Sequence, residues 1–423
     1  MDATQIASLE IEGIMKMFPE LVKSSYALES RMKNTRAQAV GTRAYRLPMK
    51  YSRPEDAYAL DLNGGTLGLG DSSKWNNGSI TPFVYAVSTN WTKLVALAGV
   101  NKDNVAIRNV VDENMADVAK QVRNWRNKLL HTAGLGTLAV VASTNGQTVT
   151  TSGGFGTRLL GPGLNVQIVN PATNVSRGVV QIAYKFDLLG QTQTFTTVGA
   201  LPQGTAAGDL VRFNGLVDGA PICMYGLPYF INSSLLGTLL GINKATNPYV
   251  CSNSIDGGGG QITQPLVRAL INMIQQRLEN EPMEGGFFHW HRSQRASYEE
   301  LGFNLQMIPM ANGSAPTELE LFFGGRDGGD TFKLSGYPTH IDDHADNTAV
   351  FFVNPDGWGK VMYGDGPFWY DALPNSKIYP IIDVATGTPK TQFGATMIDP
   401  TQFFCDNVMS QGALVDLGLP VLN

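Results

Sequence analysis

Charge is scarce in this chain. Of its 423 residues only 16% are Asp, Glu, Lys or Arg, against about 25% in typical soluble domains. So little charge is a solubility liability for a free monomer and suits a surface largely covered by other copies of the same chain. An excess of basic residues is missing too. The net charge of −5 argues against a protein that grips nucleic acid with a basic face, though not against one that merely encloses it. Cysteine is limited to Cys223, Cys251 and Cys405. Their number and spacing give neither a disulfide framework nor a zinc motif, and free thiols in a reducing compartment are expected. No apolar run approaches the roughly 20 residues of a membrane span. Asp2, Glu10 and Glu12 interrupt any signal-peptide pattern, so synthesis and use in the cytosol are expected.

Catalytic signatures are equally sparse. There is no Gly-x-Ser-x-Gly elbow. The Gly-rich stretches at 64–70, 153–163 and 257–260 lack the Lys-Ser or Lys-Thr of a phosphate loop. Residues 324–330 read as a turn between strands. Glu299 and Glu300 fall on a helix surface as solvated charges. Histidine and carboxylate are the ligand types of zinc and iron sites. His289 and His291 flank Trp290, and His340 and His344 bracket Asp342 and Asp343. On a strand, His289 and His291 would share a face. A strand edge and an acidic loop account for the same residues more simply. The sequence therefore assigns no catalytic residue, no cofactor and no metal site.

What is present is a long helix between β-rich segments. Over 103–131, Val111, Met115, Val118, Val122, Trp125 and Leu129 recur at helical spacing and form one apolar stripe. Asp103 or Asn104 can cap its start, and Gly134 suits its end. Lys120, Arg123, Arg126 and Lys128 lie beside the stripe, with Asp112, Glu113 and Asp117 one or two turns earlier. Either phosphate contact or ion pairing within or between subunits fits this arrangement.

Residues 1–40 read as an arm of two short helices that need a partner surface. Residues 41–92 read as a long hairpin whose strands are 42–51 and 80–91, with a tip dense in Gly, Asn and Ser. A loop this long is acceptable if its tip lies on another subunit. Residues 134–215 carry only six charges and six short strand candidates, as in an inserted β-domain. In 216–345, Thr263 and Pro265 open a helix with Val267, Leu270, Ile271, Ile274 and Leu278 on its apolar face, and a second helix runs over about 293–301. Residues 346–423 return to strands.

With these elements in order, the chain resembles the major capsid proteins of tailed bacteriophages, the Hong Kong 97-like fold. GDLVRFNG at 208–215, GLPYFINSS at 226–234 and the segment GYPTHIDDHADNTAVFFVNPDGWGKVMYGDGPFWYD at 336–371 are similar to recurrent patterns of that family. The resemblance implies an α+β fold with N-terminal arm 1–40, extended loop 41–92, peripheral domain with spine helix 93–133, β-rich insertion 134–215, axial domain 216–345 and returning strands 346–423. It also implies a non-enzymatic structural protein of the virion, assembled in the host cytoplasm. Its copies would form hexamers and pentamers of an icosahedral shell around double-stranded DNA, without sequence-specific binding or a membrane. Scaffolding and portal proteins would be further partners. Lys74 and Trp75 of the loop and Arg123, Trp125 and Arg126 of the spine helix are the expected intersubunit contacts. A metal-dependent hydrolase built on the His/Asp cluster, or a tail or decoration protein, stands as the alternative.

Overall fold

The computed structural model describes residues 28–29, 32, 38–40, 44–52, 72–92, 105–153, 156–186, 193–219, 221–279, 283–306, 333–362, 367–370, 377–382 and 389–419. Most of the expected arm, the Gly-rich tip at 53–71, the Asp103/Asn104 cap and the turn at 324–330 lie outside them. The fold is α+β, with few helices and many sheets. The chain divides into two compact units. One holds Met1–Arg31, Pro82–Leu130 and Met362–Gln402; the other holds Met32–Thr81, His131–Val361 and Phe403–Asn423.

In the first unit helix α1 spans Val105–Leu130, about 39 Å at 1.5 Å per residue. Met115, Val118, Ala119, Val122 and Leu129 are buried, as the helical spacing requires. Trp125, placed by the pattern in the stripe, is only half-buried, and the buried position is taken by Arg126. The helix packs on strands β4 (Tyr85–Thr92) and β21 (Pro389–Asp399). β21 is central: β4 runs antiparallel along one edge from Tyr85↔Asp399 to Thr92↔Gln392. Strands β20 (Ile378–Ile382) and β19 (Phe368–Trp369) share its other edge. This differs from the expected single hairpin over 41–92. Ile80 and Tyr85 belong to different strands because Pro82, which has no N–H to donate, interrupts the ladder between them.

In the second unit β1 (Gln38–Val40), β2 (Ala44–Ser52) and β3 (Lys74–Ile80) form an antiparallel sheet. Leu47, Met49 and Ile80 are its buried side chains. The Ser79 N–H donates to the Leu240 carbonyl at 2.9 Å, which fixes β3 beside the small hairpin β11 (Thr238–Leu239) and β12 (Ile242–Asn243).

Strands β5 (Thr137–Asn145), β6 (Thr148–Thr151), β7 (Asn165–Asn170), β8 (Val175–Phe186), β9 (Thr194–Thr197) and β10 (Leu210–Phe213) close into a barrel in the order β10-β5-β6-β9-β8-β7. Val141, Val149, Val166, Ile168, Ile182, Phe195 and Val211 are buried and fill it. Closing only six strands requires sharp corners, and the register shifts in β5, β7, β8 and β10 supply them.

A six-stranded sheet follows, in the order β13 (Asn253–Asp256), β23 (Gly412–Val415), β17 (Val350–Val353), β14 (Phe287–Trp290), β16 (Tyr337–Ile341) and β15 (Lys333–Leu334). Short helix α2 (Leu227–Phe230) precedes this sheet in the chain. Helix α3 (Gln264–Arg277) starts after Thr263, whose side chain makes no capping bond, and buries Val267, Leu270, Ile271 and Ile274. These meet Phe288, Trp290, Val350, Phe352 and Leu414 in one core. Helix α4 (Arg292–Gln306) runs five residues beyond the expected end. Strands β18 (Trp358–Met362) and β22 (Thr401–Cys405) pair separately.

Candidate functional site

Strand alternation fixes the site. In β14, Phe288 and Trp290 point into the α3 core, so Phe287 and His289 face the other side of the sheet. β16 runs parallel to β14 with His340 opposite His289, and their rings stack with centroids 5.1 Å apart. Their Nδ1 atoms share a hydrogen bond at 2.9 Å. On the other edge of His289 its Nε2 meets Nε2 of His131 at 2.8 Å. His131 follows α1 directly, and its segment is pinned by the Cys223 N–H donating to the Gly134 carbonyl at 3.0 Å. Gly134 has φ +81°, and a Cβ there would lie 2.9 Å from Tyr225 Cδ1. Only glycine meets both demands.

Beyond β16 the ladder continues by one bond, from the Asp342 N–H to the Trp290 carbonyl at 3.1 Å. Asp342 then opens an Asx turn, its Oδ1 accepting the His344 N–H at 2.8 Å. The same Oδ1 lies 3.3 Å from His344 Nδ1, and Oδ2 lies 4.0 Å from His131 Nε2. Arg158 closes the acidic loop by donating to the His344 carbonyl at 3.1 Å and lying 3.7 Å from Asp346. Four of the chain's five histidines thus form one continuous group, and the fifth, His291, is bonded at 2.8 Å to Ser293. Burial holds the His291 imidazole below its ordinary pKa; Arg158 adds to this and Asp343, Asp346 and Asp342 oppose it.

The expected His289/His291 face is not formed, because β14 ends at Trp290 and His291 starts the turn into α4. His131 escaped the sequence reading: it sits 158 residues from its partner, and its only signal is the rarity of histidine in the chain.

The expected contact residues occupy different settings. Trp75 on β3 is 59% exposed, with Lys50 Nζ 5.8 Å from its ring centroid, and Lys74 is exposed beside it. Trp125 and Arg123 are half-buried on α1, and Lys128 Nζ lies 4.9 Å from the Trp125 ring. Arg126 points inward. It donates from Nε to Asp399 Oδ2 at 2.9 Å and from Nη1 to Glu29 at 2.6 Å. Tyr85 joins this cluster, with its hydroxyl 2.8 Å from Asp399 and 2.7 Å from the Val122 carbonyl. The two carboxylates keep the Arg126 guanidinium charged despite its burial. Arg126 is 4% exposed. Lys120 pairs with Asp117 at 3.2 Å on the exposed face.

No protein-family model and no curated protein matches the chain. Solved structures similar to it are mostly phage capsid and related shell proteins. The capsid asymmetric unit of cyanophage A-1(L) shares 13% identity over 92% of this chain and 90% of that one, with a TM-score of 0.49. The capsid of an empty GTA particle shares 10% identity over 94% and 91%, with a TM-score of 0.45. An encapsulin complex from Synechococcus elongatus shares 9% over 94% and 88%, with a TM-score of 0.43.

Proposed function

We propose that this chain is the structural subunit of a closed protein shell, a major capsid protein of the Hong Kong 97-like type that encloses double-stranded DNA. One observation carries the reading: large apolar side chains stand exposed on a chain with few charges to keep it apart from its copies. Leu236 is 84% exposed, Val217 74%, and Trp75 59%. Tyr184, Val198, Leu235, Phe368, Tyr370 and Ile382 are exposed as well. Exposed apolar surface of this kind marks interaction sites, and with 16% charged residues the chain has few charges to oppose association.

Hexamers and pentamers would be held by many such contacts. A contact of millimolar affinity is worth about 4 kcal/mol, and several per subunit give a durable shell while single contacts still exchange during assembly. Trp75 and Lys74 are the contact residues we favour, followed by Trp125 and Arg123. The net acidic subunit keeps packaged DNA from adhering to the wall. Assembly in the host cytoplasm, a scaffolding protein and a portal complete the reading. Sedimentation of the purified chain with and without Trp75→Glu tests it. Large particles from the parent chain and a clear shift to small species in the variant are expected. Indistinguishable small species in both would count against it.

A further inference from the structure

We propose that His131, His289 and Asp342 form a binding site for a divalent transition-metal ion of the zinc class, which fastens the segment at His131 to the six-stranded sheet. The sequence, read alone, assigns no metal here, and shell assembly does not call for one. His131 Nε2, His289 Nε2 and a carboxylate oxygen of Asp342 lie within 4.8 Å of one another, and both histidines are buried. Zinc takes such ligands at about 2.0–2.2 Å. Two nitrogens at right angles about an ion would then stand ~2.9 Å apart, and at a tetrahedral angle ~3.3 Å. The His131–His289 separation is 2.8 Å, so an ion is admitted by opening the pair by a few tenths of an ångström.

The surroundings supply what ligating residues need. A metal-bound imidazole donates its other N–H to a fixed acceptor, which sets its tautomer. His289 Nδ1 has that partner in His340 Nδ1 at 2.9 Å. The carboxylate is oriented in the same way: Oδ1 is engaged by the His344 N–H at 2.8 Å, which turns Oδ2 toward His131. Two imidazoles and one carboxylate leave a coordination position for water. All ligands are nitrogen or oxygen, so hard and borderline ions such as zinc, cobalt and nickel are favoured over copper(I). The role we assign is structural: the ion would join residues 131, 289 and 342, which come from three distant stretches of the chain.

The test uses the full chain, stripped with chelator and dialysed against zinc, with metal content measured after desalting. Cobalt(II) titration reads the ligand type. About one equivalent per chain is expected, with cobalt d–d bands and no thiolate charge-transfer band. His131→Asn and Asp342→Asn should each weaken binding at least tenfold, and Cys251→Ser should leave it unchanged. Asp342→Asn preserves shape and decides the matter if His131→Asn unfolds by circular dichroism. Less than a tenth of an equivalent in the parent chain, or equal binding in Asp342→Asn, overturns the proposal.

Discussion

Asp399→Asn tests the buried cluster that holds α1 to its sheet. Asp399 is fully buried and Arg126 is 4% exposed. The substitution keeps the shape and leaves one oxygen to accept from Arg126 Nε, but removes the negative charge opposite the guanidinium. Glu29, half-buried at the edge, then remains as the only carboxylate bonded to it among the described residues. Breaking a buried ion pair from one side costs about 3–5 kcal/mol, because the other charge stays in low dielectric. The retained hydrogen bond places Asp399→Asn at the lower end, about 3 kcal/mol. At about 1.4 kcal/mol per decade, amides over 115–130 should exchange with solvent roughly a hundredfold faster. Hydrogen exchange on the full chain reads this directly. Lys120→Gln, which removes the exposed pair with Asp117, is the control and should change the rates less than about threefold. Replacing both partners, Arg126→Met with Asp399→Leu, should recover most of the loss. Equal rates in Asp399→Asn and the parent chain would mean that the buried pair does not hold α1 on its sheet.

Three further outcomes are expected. Gly412→Ala places a Cβ 2.8 Å from Ile274 Cδ1 and 3.0 Å from Leu270 Cδ1; overpacking of this order costs about 1–3 kcal/mol, read as a lower urea midpoint. All three cysteines are free and buried, and burial pushes the Cys223 thiol up to about 12 and the Cys405 thiol well above its ordinary value. A thiol reagent at neutral pH should therefore find no fast-reacting group in the native chain and three in denaturant. Trp75→Ser should leave the circular dichroism spectrum unchanged, since the ring is mostly exposed, while slowing particle growth in light scattering.

The barrel strands were legible because each is a short Val- or Thr-rich run bounded by Gly, Asn or Pro, and six strands lie where six such runs lie. α3 was legible because Val267, Leu270 and Ile274 repeat with helical period. The end of α1 was harder. Periodicity cannot separate Trp125 from Arg126 at the buried position, because what selects Arg126 is Asp399, 273 residues away. The hairpin was misread because 80–91 looks like one continuous strand unless Pro82 is taken as a break. β22, fully buried over Thr401–Cys405, shows no alternation and escaped the pattern. The histidine group combines both cases. His340 and His344 with Asp342 are visible as a local cluster. Their meeting with His289 and His131 depends on the parallel pairing of β14 and β16, which no local pattern encodes.

Electron microscopy of the purified, concentrated full chain shows whether copies of it close into a shell. Closed shells, curved sheets, or five- and six-membered rings built from this chain alone are expected. A field of discrete monomers or dimers, with matching mass in light scattering across the accessible concentrations, would contradict a shell-forming role.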